Sequence, residues 1–133
     1  MIPESTNSFF GRSVNPHNIV RSCGGSSGGE GALVASKSSI IGIGTDIGGS
    51  VRIPANFCGV YGFKPCWKRG TYKGNEIINW WIDNLNSGEI KAVFGPLATN
   101  VDDCAIMQEF LFSESLAKFD YYAAPSHFEK EIY

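Results

Sequence analysis

What this chain has little of narrows its function first. No uninterrupted apolar run approaches the ~20 residues that a membrane-spanning helix needs. Met1 to Asn18 lacks the basic start and apolar centre of a secretion signal, so the expected location is the cytosol. Positive charge is not in excess: 11 Lys and Arg stand against 13 Asp and Glu, for a net charge of −2. Neither nucleic acid nor an anionic membrane surface is an expected partner. Histidine is scarce, and His17 and His127 lie far from Cys23, Cys58, Cys66 and Cys104, which include no CxxC pair. That spacing argues against zinc, and no metal is expected. With no secretion signal and no Asn-x-Ser/Thr acceptor, reduced and mostly buried thiols are expected rather than two disulfides. Lysine is absent before Lys37.

What remains is a chain of 133 residues, 43% apolar and 18% charged, with no internal repeat and no low-complexity tail. Those values are those of one globular domain.

Glycine is abundant in one place. Of 16 glycines, 11 fall between Gly24 and Gly62, in two serine-bearing clusters. The first is Gly24-Gly25-Ser26-Ser27-Gly28-Gly29 and the second is Asp46-Ile47-Gly48-Gly49-Ser50. A folded chain uses such clusters where the backbone itself must approach something closely. A serine directly after two glycines suggests a nucleophile beside free backbone N–H groups, which is what an oxyanion site requires. Ser50 is therefore the candidate nucleophile, with the N–H groups of Ile47, Gly48, Gly49 and Ser50 as donors worth ~3 kcal/mol each in the transition state. Asp46 and Arg52 flank this turn and are expected to hold it by charge-assisted bonds to backbone groups, the alternative being a generic surface ion pair. Thr45 either lines the site or ends a strand.

Coarse structure follows from pattern. Residues 1–23 are polar and turn-rich, with a loop at Asn15-Pro16. Gly31 to Ser38 reads as a short helix starting at the first cluster, and Ile40 to Thr45 as a buried strand. Pro54 limits any helix in Val51 to Phe57. Val60 to Phe63 reads as a brief strand, and Lys64 to Ser87 as loop with an apolar island at Trp80-Trp81-Ile82. Ala92-Val93-Phe94 suggests a strand ended by Gly95-Pro96. Thr99 or Asn100 caps a helix running to about Phe112, with Asp102 and Asp103 in its first turn. Val101, Ala105, Met107 or Gln108, and Leu111-Phe112 read as alternating between its buried and outer faces.

Nucleotide-binding motifs do not fit. Gly42 to Gly48 spells GxGxxxG rather than the dinucleotide fingerprint, and the Gly-Lys-Ser/Thr of a phosphate loop is absent.

The block from Gly24 to Pro65, ending Cys58-Gly59-Val60-Tyr61-Gly62-Phe63-Lys64-Pro65, resembles the amidase signature family, with most similarity to its fatty-acid-amide-hydrolase branch. The similarity extends more weakly from Pro3-Glu4-Ser5-Thr6-Asn7 through Gly95-Pro96-Leu97-Ala98, and faintly through Phe119-Asp120-Tyr121-Tyr122. It implies an α/β fold, here part of a mixed sheet flanked by helices, with residues 1–133 forming a partial domain. It implies a small-molecule amide substrate, no cofactor, and hydrolysis of a carbon–nitrogen bond through a Ser–Ser–Lys triad. Ser50 would be the nucleophile and Ser26 the relay, following a cis peptide bond, with Ser27 in a supporting, substrate-side role. Lys64 would be structural. Membrane association is a property a full-length relative can have but that these residues do not encode. The family's base is a lysine several dozen residues before the first cluster. Only 25 residues precede Ser26, and none is lysine. Two of three triad members are expected, which leaves open a hydrolase and a truncated or non-catalytic relative that binds acyl or amide ligands.

Overall fold

The computed structural model describes residues 3–71, 73, 91–120, 123 and 129. The island at Trp80-Trp81-Ile82 and His127 lie outside the described residues.

The polar N-terminal stretch forms two hairpins rather than loop alone. In the first, β1 (Thr6–Asn7) pairs with β2 (Gly11–Arg12). In the second, β3 (Val14–Asn15) pairs with β4 (Asn18–Ser22). Asparagine makes both turns, as an Asx side chain can by accepting from backbone just ahead of it. Asn7 Oδ1 accepts from the N–H groups of Phe9 and Phe10, and Asn15 Oδ1 from that of His17.

Next come α1 (Gly28–Ala35), β5 (Ile41–Asp46), α2 (Arg52–Cys58) and β6 (Tyr61–Gly62). Further along the chain come β7 (Val93–Ala98), α3 (Val101–Leu111) and α4 (Glu114–Ala117). The sheet has the order β5-β7-β6, with both pairings antiparallel. Val34 of α1, Val51, Ala55 of α2 and Leu97 of β7 form the buried cluster, with Val60 packed against it.

Helix α1 and strand β7 differ from the pattern-based expectation, each for a physical reason, while α2 is short as expected. Helix α1 starts at Gly28 rather than Gly31, because Ser27 is its N-cap residue and the glycines after it are helical. Pro54 lies inside α2, at its third position, where no intrahelical N–H bond is lost. Strand β7 continues through Gly95 and Pro96 to Ala98, since it lies between two partners that enforce its extended form. Pro96 still leaves a mark. Phe63 N–H donates to the Pro96 carbonyl at 3.1 Å, but Pro96 has no N–H to return. Strand β6 accordingly ends at Gly62.

Helix α3 is capped as expected. Asn100 Oδ1 accepts from Asp103 N–H at 2.8 Å. Its inward side is Cys104, Gln108 and Phe112, spaced by four, whereas Val101 is half exposed.

Candidate functional site

The site is built where strand β5 ends. Its last residue, Asp46, is fully buried, and its carboxylate organises everything after it. Oδ1 accepts from Gly49 N–H at 2.7 Å, and Oδ2 from Val51 N–H at 3.1 Å and Arg52 N–H at 3.3 Å. The Arg52 guanidinium closes the ring with Nε to Oδ2 and Nη2 to Oδ1, both at 3.0 Å. Two parallel bonds of this kind fix orientation as well as charge. Burial alone would push the Asp46 carboxyl up. The Arg52 side chain and the three backbone donors outweigh it and hold the group at about 2. The same bond raises Arg52 above its ordinary value. The pair is thus a loop-holding device, and the surface ion-pair alternative fails on the burial of Asp46.

The loop it holds is Ile47 to Val51. Gly49 has φ of +122°, a conformation that side chains rarely adopt. Ser50 follows it, with only 4% of its surface exposed. One expected donor is already committed: Gly49 N–H is spent on Asp46. The N–H groups of Ile47, Gly48 and Ser50 have no acceptor among the described residues. Three donors rather than four therefore remain for an anion.

The first cluster is brought against this turn from α1. Ser27 N–H donates to the Ser50 carbonyl at 3.1 Å. Ser27 Oγ accepts from Thr45 N–H at 3.2 Å and lies 3.4 Å from the Thr45 carbonyl. Ser27 and Thr45 therefore join the two clusters, and Thr45 is a strand residue gripped through its backbone. Ser26 is exposed, and the Gly25–Ser26 peptide bond is cis. The hydroxyls of Ser26 and Ser50 form no hydrogen bond among the described residues, so both are free to act on a ligand.

Other nucleophiles near the clusters are silent. Cys23, Cys58 and Cys104 are buried and unpaired, and Cys66 is exposed. Burial, followed by the neighbouring Cys23, pushes the Cys58 thiol up to about 11, and burial also raises Cys23. A thiol in that state is a poor nucleophile. His17 is occupied, with Nε2 2.8 Å from the Cys58 carbonyl. Lys64 Nζ donates to the Pro65 carbonyl at 3.3 Å, a structural contact. Lys37 is exposed beyond α1, whose eight residues put ~12 Å of helix between it and Ser27. No group of three or more metal-ligating side chains gathers among the described residues.

Two participants escape a reading by motif. Glu30 Oε1 accepts from Ile43 N–H at 3.1 Å and so engages the outer edge of β5. Ser5, from the weakly similar N-terminal stretch, contacts the first cluster through its hydroxyl. Neither belongs to a glycine cluster or flanks Ser50, and no local signal singles them out.

The Amidase family model matches residues 1–132. An acetamidase of Aspergillus oryzae is 42% identical over 122 residues, covering 90% of this chain and 21% of that protein. Fatty-acid amide hydrolase 1 of Sus scrofa is 38% identical over 132 residues, covering 98% of this chain and 22% of that protein. A solved fatty acid amide hydrolase superposes with a TM-score of 0.81 at 35% identity, covering 98% of this chain and 22% of that one. The chain thus spans about a fifth of the length of these relatives. With the family model matched over nearly its whole length, this chain belongs to the amidase family.

Proposed function

We propose that this chain carries the nucleophile-bearing part of an amide hydrolase that uses a Ser–Ser–Lys mechanism. The observation that supports it most is the Asp46-held turn, which buries Ser50 with a free hydroxyl beside three uncommitted N–H groups. Ser50 Oγ attacks the substrate carbonyl carbon, and its proton passes to Ser26 and from there to a base. The carbonyl oxygen becomes an oxyanion held by Ile47, Gly48 and Ser50. Collapse breaks the carbon–nitrogen bond as the nitrogen takes the proton back through Ser26. Water then releases the acyl group from Ser50 as a carboxylic acid. Ser27 and Thr45 hold the two serine segments together, and Arg52 with Asp46 holds the turn. The base in this reading is a neutral lysine, as the resemblance implies. Fatty-acid amides are the substrate class it favours, by similarity to the hydrolase of Sus scrofa. A cytosolic location is part of the same proposal.

The position of Lys37 favours a second reading, in which the turn binds an acyl or amide group without turnover. A fluorophosphonate probe separates the two, since Ser50 Oγ would attack phosphorus and expel fluoride. The hydrolase reading expects labelling that vanishes in Ser50→Ala and slows in Ser26→Ala. Labelling that survives Ser50→Ala removes the nucleophile from the reading. Absence of labelling in the folded wild-type chain leaves the binding reading.

A further inference from the structure

We infer that Ser5 is a positioning residue for Ser26, an assignment that rests on the hydrolase reading above. The single Oγ of Ser5 touches three backbone groups of the first cluster. It accepts from Gly28 N–H at 2.8 Å and lies 3.0 Å from the Ser26 carbonyl and 3.2 Å from the Gly24 carbonyl. One hydroxyl proton is shared between those two carbonyls, while the lone pairs serve Gly28. These contacts bracket Ser26 on both sides in sequence.

Ser27 leaves the start of α1 without a side-chain cap of its own. Ser27 stands at the N-cap of α1, where a serine ordinarily turns its hydroxyl back to the helix. Here it makes no such bond, because its Oγ is taken by Thr45. Ser5 serves a different donor from elsewhere in the chain, the first helical N–H of Gly28, which an N-cap side chain does not ordinarily take. The backbone of the preceding residue is seated equally closely. A Cβ added at Gly25 would lie 2.6 Å from backbone atoms of Glu4, so residues 4 and 5 lie flush on the cluster. Ser5 is itself tied down, since its carbonyl accepts from Ser13 N–H at 2.9 Å. The Ser13 carbonyl in turn accepts from the Cys23 thiol at 3.3 Å. Ser26, exposed and without a hydrogen bond of its own side chain, takes its place from this frame.

The test combines labelling with amide exchange on the full chain. Ser5→Ala should lower the maximal rate of fluorophosphonate labelling at Ser50 about tenfold, while the half-saturating probe concentration stays put. Ser5→Thr, which keeps the hydroxyl, should restore most of the rate. Hydrogen exchange gives an independent readout. In the wild type, the Gly28 amide should exchange at least tenfold more slowly than that of Gly29, whose N–H has no acceptor among the described residues. That difference should shrink in Ser5→Ala. Equal exchange at Gly28 and Gly29 in the wild type overturns the inference even if neither variant folds. So does a labelling rate unchanged in Ser5→Ala, or a threonine variant as slow as the alanine one. A wild-type chain that shows the exchange difference but never labels sinks the hydrolase reading, and the positioning role of Ser5 with it.

Discussion

At the residue scale, Asp46 carries the heaviest electrostatic role. Its folded-state value of about 2 lies below its ordinary 3.8, so its contribution is fully present above pH 4 and is lost as pH falls through 3.8 towards 2. A shift of that size corresponds to about 2 kcal/mol of stability. Acid unfolding followed by circular dichroism should show that loss in the wild type, and Asp46→Asn should flatten it. The same substitution should destabilise the chain at neutral pH by about 3 kcal/mol, because a carboxamide donor then faces backbone donors and Arg52 loses its partner. A second residue is held against its preference. Lys37 follows the C-cap of α1 with φ of +60°, the left-handed form that costs a side-chain-bearing residue ~1 kcal/mol. Lys37→Gly should therefore raise the urea midpoint by the equivalent of ~0.5–1 kcal/mol. A fall in the midpoint would mean that the lysine side chain contributes more than the backbone conformation costs.

At the scale of elements, α3 contains the least comfortable group. Gln108 faces inward, only 3% exposed, and among the described residues neither its Nε2 nor its Oε1 has a hydrogen-bond partner. It sits beside a cleft of about 200 Å³ lined mainly by Tyr61, Phe63, Val101, Cys104 and Ala105. An unsatisfied buried polar group costs ~1–3 kcal/mol. Gln108→Leu should therefore stabilise the chain by about 2 kcal/mol, measured by urea denaturation. Destabilisation on that substitution would show that the carboxamide has a partner in solution. The helix illustrates what periodicity can convey. Its cap and its length follow from Asn100, Asp102 and Asp103, which act within one turn. Gln108 and Phe112, both named from the pattern, are buried, while Val101 is half exposed and Cys104 takes a buried place, because β6 and β7 decide which flank is covered.

At the scale of the molecule, the described residues bury a small apolar cluster and expose several large apolar side chains. The central cluster joins Val34, Val51, Ala55 and Leu97. By contrast Phe9, Phe10, Val20 and Ile40 are each about four-fifths exposed. Among the described strands, β5 and β6 are both edges. Open strand edges favour association over a stable monomer. The isolated chain should melt broadly and at low temperature, bind a hydrophobic dye before the transition, and elute as oligomers from a sizing column. A sharp, cooperative melt of a monomer by calorimetry would contradict this.

The sequence by itself determined the family, the two serine clusters and most element positions, because these depend on residues adjacent in the chain. Gly48-Gly49-Ser50 reads as a turn and Ile40 to Thr45 as a strand from adjacent residues alone, and the strand is found at Ile41–Asp46. Tertiary structure decided what those residues are attached to. Asp46 became the fully buried centre of the turn and took the N–H of Gly49 away from any oxyanion. Pro96 stayed extended because two neighbouring strands hold β7 on either side. Ser5 became a cap for a helix that begins 23 residues further along the chain. Such contacts follow from how distant segments pack, and no local spacing encodes them.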